Sequence, residues 1–372
     1  MKYYIIAGEA SGDLHASNLM KELKKQDDAA AFRCWGGDLM AKQGADLVRH
    51  YRDLAFMGFF EVLAHLPVIM KNIRFCKEDI LSYHPDVLIL VDYPGFNLRI
   101  SRFAHAHGIR VFYYISPQLW AWRSSRVKTI QKNVDRMFVI LPFEKDFYRK
   151  YDYDVDFIGH PLLDVIHEGS TNIKRDIFLK QNHLADKPII ALLPGSRRQE
   201  IRQMLEAMLK AVPDFRDYQF VIAGAPSISP GFYSGITEGI NAAVITGQTY
   251  DLLRHSEAAL VTSGTATLET ALMNIPQVVC YKGNVFSYLI ARLIIHVKFI
   301  SLVNLIMDKE VVRELIQKAL NRRNLTLELK KILDPAHRRE MKTSYAGLRE
   351  KLGGSGASAR AAVLMVQYMK KK

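Results

Sequence analysis

Residues 193–201 read LPGSRRQEI, between the apolar run PIIALL and the amphipathic stretch IRQMLEAMLKAV. A strand that simply turns into a helix needs a turn residue and a cap, not two cations. The first backbone N–H groups of a helix have no partner inside it, and its dipole is positive at that end, so the position suits a phosphate. Gly195 lets the backbone approach closely, Ser196 adds a hydroxyl and Arg197 adds a charge-assisted grip. Arg198, one step on, reads as readily as a solvated helix-face cation. The run matches neither the P-loop nor the dinucleotide fingerprint.

A second loop of this kind is SGTATLE, residues 263–269. A strand ends before it, and Ser263, Gly264 and Thr265 open a helix. Ser263 or Thr265 can cap that helix or hold phosphate. Glu269, about one turn inside, can accept hydrogen bonds from ribose hydroxyls; a plain helix-surface acid is the alternative. Two phosphate-suited loops in one half of the chain make a sugar nucleotide, or a similar diphosphate, the economical ligand.

The first half carries acids instead. VDYPGFN places Asp92 at the end of the apolar run DVLILVD, ahead of Pro94-Gly95. Partial burial there raises a carboxyl toward general-base values, although a turn or cap acid fits the same pattern. GEASGD offers Glu9, Ser11, Gly12 and Asp13 at a helix start, with Asp13 equally suited to capping. It is not the G-x-S-x-G elbow, which argues against a serine hydrolase. No metal is expected: His105 and His107 are two apart on a helix, and the run Asp152-Tyr153-Asp154-Val155-Asp156 reads as a solvated turn before a strand.

These loops all follow short apolar runs. Strands are expected at 3–7, 32–35, 86–92, 110–116, 135–141 and 155–159, then at 188–193, 218–224, 243–246, 258–262 and 277–281. Helical patterns separate them, including a long one over 61–83, and the chain after Leu305 reads as mostly helical. Runs apolar on both faces, alternating with helices, imply α/β domains with parallel, doubly wound sheets. With 372 residues, two such domains are expected, since one core rarely grows that large. The boundaries are placed at 1–165, 166–340 and a helical tail 341–372. In such sheets ligands bind beyond the carboxyl ends of the strands, here expected in a cleft between the halves.

Lys and Arg total 51 against 38 Asp and Glu, a net charge of +13 that points to an anionic partner. Three scattered cysteines without C-x-x-C read as reduced thiols, and the N-terminus reads as a first strand rather than a signal peptide, so a cytoplasmic protein is expected. Segments 53–74 and 286–307 mix large apolar residues with cations. Each fits an interfacial helix on an anionic membrane surface, or packing inside a core.

Taken in order, GEASGD, MGFFEVL, VDYPGFN, ISPQLWAWR, LPFEKDFY, FIGHPLLD, LLPGSRRQEI, TSGTATLE, YK and SLVNLI resemble the lipid-A-disaccharide synthases across most of the chain. The resemblance implies the GT-B fold, two Rossmann-like domains. It implies inverting transfer of 2,3-diacylglucosamine from UDP-2,3-diacylglucosamine to 2,3-diacylglucosamine 1-phosphate, giving a β-1′,6-linked disaccharide and UDP without metal or cofactor. It assigns catalytic roles to Asp92, Arg197 and Asn304, adds Tyr281 to the donor side, and places Glu9, Ser11, Gly12 and Asp13 on the acceptor side. Where the family often carries an acid after the proline of VDYPGFN, this chain has Gly95. The resemblance further implies a peripheral protein of the inner membrane of a Gram-negative bacterium. Its C-terminal helices return to the first domain or, in a homodimer, to a second protomer. The rivals are a nucleotide-sugar epimerase, a transferase with a soluble acceptor, and a nucleic-acid-binding protein. The last needs a contiguous basic stripe with interleaved aromatics, which this sequence lacks.

Overall fold

The computed structural model describes residues 1–53, 66–122, 124–168, 173–283 and 298–371. The MGFFEVL motif and most of 286–307 lie outside these residues. The chain divides into two compact units, one of residues 1–164 with 352–372 and the other of residues 165–351. The helix Pro335–Lys351 therefore belongs with the second unit, and the return to the first falls after it, later than 340.

The first unit is built on a seven-stranded sheet. Its strands are β1 (Lys2–Ala7), β2 (Ala31–Gly36), β3 (Asp46–His50), β4 (Val87–Val91), β5 (Arg110–Tyr114), β6 (Arg136–Val139) and β7 (Asp156–Phe157), in the order β3-β2-β1-β4-β5-β6-β7. Every ladder is parallel. Successive residues of a strand face opposite sides, so the strands feed two separate cores. Tyr4, Ile6, Leu88, Leu90, Val111 and Tyr113 pack with Ile73, Cys76, Ile100 and Ile130 of the helices on one side. Tyr3, Ile5, Val87, Ile89, Phe112 and Tyr114 pack on the other with Ala16, Leu19 and Leu23 of the helix Ala10–Gln26, and with Ala361, Met365 and Val366 of the last helix, Ala357–Lys370. That last helix thus lies on the first sheet of its own chain.

The second unit repeats the plan with six strands: β8 (Ile189–Leu193), β9 (Gln219–Gly224), β10 (Ala242–Thr246), β11 (Ser256–Thr262), β12 (Gln277–Tyr281) and β13 (Arg313–Ile316). Their order is β10-β9-β8-β11-β12-β13, again all parallel. Two strands differ from expectation. β3 was not anticipated, and β13 lies where the sequence read as helical. Each is one of the two edge strands of its sheet.

In both sheets the strand order reverses at one place, between β1 and β4 and between β8 and β11. Ligands of doubly wound sheets bind at such switch points. The loops leaving those four strands are GEASGD, DYPG, PGSRR and SGT, the four that the sequence marks as chemical.

Candidate active site

In the first unit, β4 ends in two consecutive left-handed residues without glycine, Asp92 at φ 41° and Tyr93 at φ 48°. β5 ends the same way at Ile115, φ 66°. Such conformations cost about 1–3 kcal/mol each and persist only where the surroundings enforce them. Here the enforcement is visible. The Asp92 carbonyl accepts from Asn97 Nδ2 at 2.8 Å and from the Tyr113 hydroxyl at 2.5 Å, and both side chains are fully buried. Asn97 also donates to the Val91 carbonyl at 3.2 Å. The backbone of Asp92 is clamped, while its side chain stays open to solvent.

The Asp92 carboxyl is raised to about 6, first by desolvation and then by the like charge of Glu9. The side chain is thus open to a substrate hydroxyl while its surroundings favour the protonated form. Glu9 stands at the cap of the helix Ala10–Gln26 without capping it through its side chain. Its charge also helps raise the Tyr93 hydroxyl, after burial. The Tyr93 ring lies over Gly8, where a Cβ would sit 2.4 Å from the ring, so the loops after β1 and β4 touch only because that residue is glycine. Ser11 is exposed in the first helical turn. Gly12 is buried, and a Cβ there would come within 3.2 Å of Ala7, so it serves close helix–strand packing.

Asp13 departs from the acceptor side. It is buried, and its oxygens accept from the backbone N–H groups of Gly37 at 2.8 Å, Leu39 at 3.1 Å and Met40 at 3.1 Å. It thereby caps the helix Asp38–Lys42. Capping was the alternative left open, but on a helix distant in sequence.

In the second unit, Gly195 has φ 105° and a Cβ on it would meet a Glu200 carboxylate oxygen at 2.4 Å. The same oxygen accepts weakly from Ser196 N at 3.3 Å. Glu200 thus places an internal anion on the loop read as a phosphate site. Arg197 is exposed at the cap of the helix Arg198–Met208. Arg198 instead lies over the ring of Phe232, 5.0 Å from its centroid, as the helix-face reading allowed.

At the other loop, no side chain caps the helix Thr265–Leu272. Gly264 and Thr265 are exposed. The Ser263 hydroxyl donates to the Ile300 carbonyl at 3.0 Å, so it anchors the loop while the helix start keeps its backbone donors. Glu269 accepts from the Tyr250 hydroxyl at 3.0 Å, and burial pushes its carboxyl up. Tyr281 closes β12.

Asn304 is fully buried and saturated. Its Nδ2 donates to the Val312 carbonyl at 2.8 Å and to Glu314 Oε1 at 2.9 Å; its Oδ1 accepts from Val311 N at 2.8 Å and Val312 N at 2.9 Å. A carboxamide has four such capacities, so none remains for a substrate. Its contacts are those of a positioning residue. Asn97, Tyr113, Glu200 and Glu314 were not singled out by the sequence. Asn97 alone had a signal, an amide within the apolar face of a helix. Among the described residues, no three His, Cys, Asp or Glu side chains converge as a metal site would require.

Two Rossmann-like sheets with chemically marked loops at both switch points define the GT-B class, shared by glycosyltransferases and nucleotide-sugar epimerases. Solved structures agree at the level of fold. A putative UDP-N-acetylglucosamine 2-epimerase from Listeria monocytogenes matches with a TM-score of 0.68 at 14% identity, over 100% of this chain and 97% of that one. The enzyme of that name from Neisseria meningitidis, bound to UDP-GlcNAc, gives 0.67 at 13% over 100% of both chains. The glycotransferase of kitacinnamycin gives 0.66 at 15%, covering 99% of each chain. Sequence separates what fold does not. The profile of the lipid-A-disaccharide synthetase family matches residues 3–367. Lipid-A-disaccharide synthases from Syntrophus aciditrophicus and Geobacter sulfurreducens are 42% and 37% identical to this chain, each over 99% of it and 97% of the relative. The chain belongs to the lipid-A-disaccharide synthetase family, and its activity is that of a hexosyltransferase.

Proposed function

We propose that the second unit binds UDP-2,3-diacylglucosamine and the first unit binds 2,3-diacylglucosamine 1-phosphate, with Asp92 as general base. Asp92 takes the proton from the acceptor 6-hydroxyl as that oxygen attacks the anomeric carbon, and UDP leaves from the opposite face. One displacement inverts the centre and gives the β-1′,6 linkage. The diphosphate lies on the backbone donors of Gly264 and Thr265 with Arg197, and takes those of Gly195 and Ser196 by displacing the weakly held Glu200 carboxylate, where charge builds on the leaving group. Glu269 holds the ribose and Tyr281 lines the same side; Glu9 and Ser11 face the acceptor.

The observation that carries this reading is the clamped, left-handed Asp92 with a raised carboxyl at a sheet switch point. A base must be ionised yet basic, and a carboxyl near 6 meets both needs at neutral pH. The test incubates the protein with the two acylated sugars in detergent and follows UDP and disaccharide by mass spectrometry. Asp92→Asn and Arg197→Ala are each expected to lower turnover at least ~100-fold. Near-normal turnover in folded Asp92→Asn protein would overturn the base assignment.

Both substrates are acylated, so the protein is proposed to work at the anionic inner surface of a Gram-negative inner membrane. No helix among the described residues is long and apolar enough to cross a membrane. Support comes from the helix Leu66–Tyr83, which exposes Val68, Met70, Phe75 and Leu81 alongside Arg74. Flotation with anionic liposomes at low salt is expected, with release at high salt. Equal flotation with neutral liposomes would remove the electrostatic part.

A further inference from the structure

We infer that Glu314 is a positioning residue for the donor-binding loop, acting through the backbone of residues 300–301 on Ser263. The inference rests on the proposal that the loop 263–265 holds the diphosphate.

Glu314 lies on the edge strand β13, half-buried. Its Oε1 accepts from Ser301 N at 2.9 Å, from Asn304 Nδ2 at 2.9 Å and from Ile300 N at 3.2 Å. Its Oε2 accepts from Ile300 N at 3.0 Å. An ionised carboxylate is purely an acceptor, and three separate donors meet it. This is more than an edge strand needs for pairing. Asn304 completes the clamp from the other side by spending all four of its capacities on Glu314, Val311 and Val312. Ser301 caps the helix Leu302–Met307, accepting from Asn304 N at 3.3 Å, so its placement is doubly fixed.

With both N–H groups of residues 300–301 held, the Ile300 carbonyl is fixed as well. That carbonyl receives the Ser263 hydroxyl at 3.0 Å. Ser263 precedes the exposed donors of Gly264 and Thr265 directly. A single path of hydrogen bonds therefore runs from Asn304 and Glu314, through Ile300, to the start of the helix Thr265–Leu272. It gives Asn304 a role without substrate contact.

Replacing Glu314 by glutamine keeps the shape but sets an N–H₂ group against donors. Glu314→Gln is expected to raise the KM for the UDP-sugar, and the Kd for UDP by calorimetry, about 10-fold. Turnover at saturating donor should fall too, by less than ~10-fold and so well short of Arg197→Ala, because the donors to the departing diphosphate remain and only their placement loosens. Ser263→Ala should weaken UDP binding too, and the two changes combined should be clearly less than additive in free energy, since they cut one path. Additive effects, or an unchanged UDP affinity in folded Glu314→Gln protein, would overturn the inference. In the wild-type protein, hydrogen exchange should find the Ile300 and Ser301 amides protected; rapid exchange there would overturn it even if the variant fails to fold. If Arg197→Ala and Ser263→Ala both leave UDP affinity intact, the donor-site proposal falls instead, while the exchange measurement still reads the clamp.

Discussion

At the scale of the residue, the first unit depends on two like charges held near each other. The Asp92 carboxyl is raised to about 6 by desolvation and by Glu9. A base works only when ionised, so activity is present above this value and lost as pH falls through it. Removing a neighbouring negative charge favours ionisation and lowers the carboxyl. Glu9→Gln is therefore expected to move the acid limb of the pH profile of kcat/KM to lower pH, whatever it does to the plateau. An acid limb that stays in place would show that Glu9 does not tune the base. The position of Asp92 was legible because an acid follows a run apolar on both faces. Its left-handed backbone was not, because the residues that enforce it, Asn97 and Tyr113, lie on other elements. The same holds for Asp13, whose cap is contributed to a helix beginning at Asp38. Spacing along a chain does not reveal partners that the fold brings together.

At the scale of the element, what the sequence shows depends on where a strand sits in its sheet. β4 and β8 are central and buried along their whole length, so VLILV and IIALL announce themselves. β3 (DLVRH) and β13 (RELI) have one neighbour each and keep charged side chains, so no hydrophobic period marks them. Glu314 was invisible for that reason, since a helical reading of its segment aims it elsewhere. The helix Pro94–Ala106 offers a second lesson. It has no acid in its first turn, Gly95 holds an ordinary right-handed position there, and a Cβ would meet nothing within 4 Å. Neither sterics nor backbone demands glycine. Gly95→Asp is expected to stabilise the protein by about 0.5–1.5 kcal/mol, through lost freedom of the unfolded chain and the helix dipole. The added carboxylate would also face Arg99 one turn on, whose guanidinium already donates to the Gly95 carbonyl. A thermal melt checks this, and an unchanged or lower midpoint counts against it.

At the scale of the whole molecule, the chain leaves the first unit after Asp164 and returns at Leu352. The helix Ala357–Lys370 then packs on the helix Ala10–Gln26, whose first turn carries the acceptor-side loop with Glu9 and Ser11. Asp164 joins the departure to the return, beside His160, whose backbone N–H donates to the Leu352 carbonyl at 3.1 Å, and Ile158, whose carbonyl accepts from Arg360 Nε at 2.8 Å. Asp164 accepts from the backbone N–H groups of Gly356 at 2.5 Å, Ala357 at 3.3 Å and Ser358 at 3.0 Å, capping the last helix. Nothing in the sequence near Asp164 announces this, because the partners lie almost two hundred positions on. A cap of this kind contributes about 1–2 kcal/mol. Losing it leaves the apolar contacts of Ala361, Met365 and Val366 in place, so the unit should remain folded while its last helix frays. Asp164→Ala is thus expected to speed amide exchange of residues 357–370 about 5–30-fold, the factor that cap energy corresponds to. Exchange in the helix Ala10–Gln26, which leans on it, should rise less. The helix Arg198–Met208 in the second unit serves as the reference. Exchange of 357–370 as slow as in the wild type would mean that packing and the remaining hydrogen bonds, Arg360 Nε to the Ile158 carbonyl and the Tyr368 hydroxyl to Asp156, hold the last helix, and that Asp164 adds nothing to how the first unit is closed.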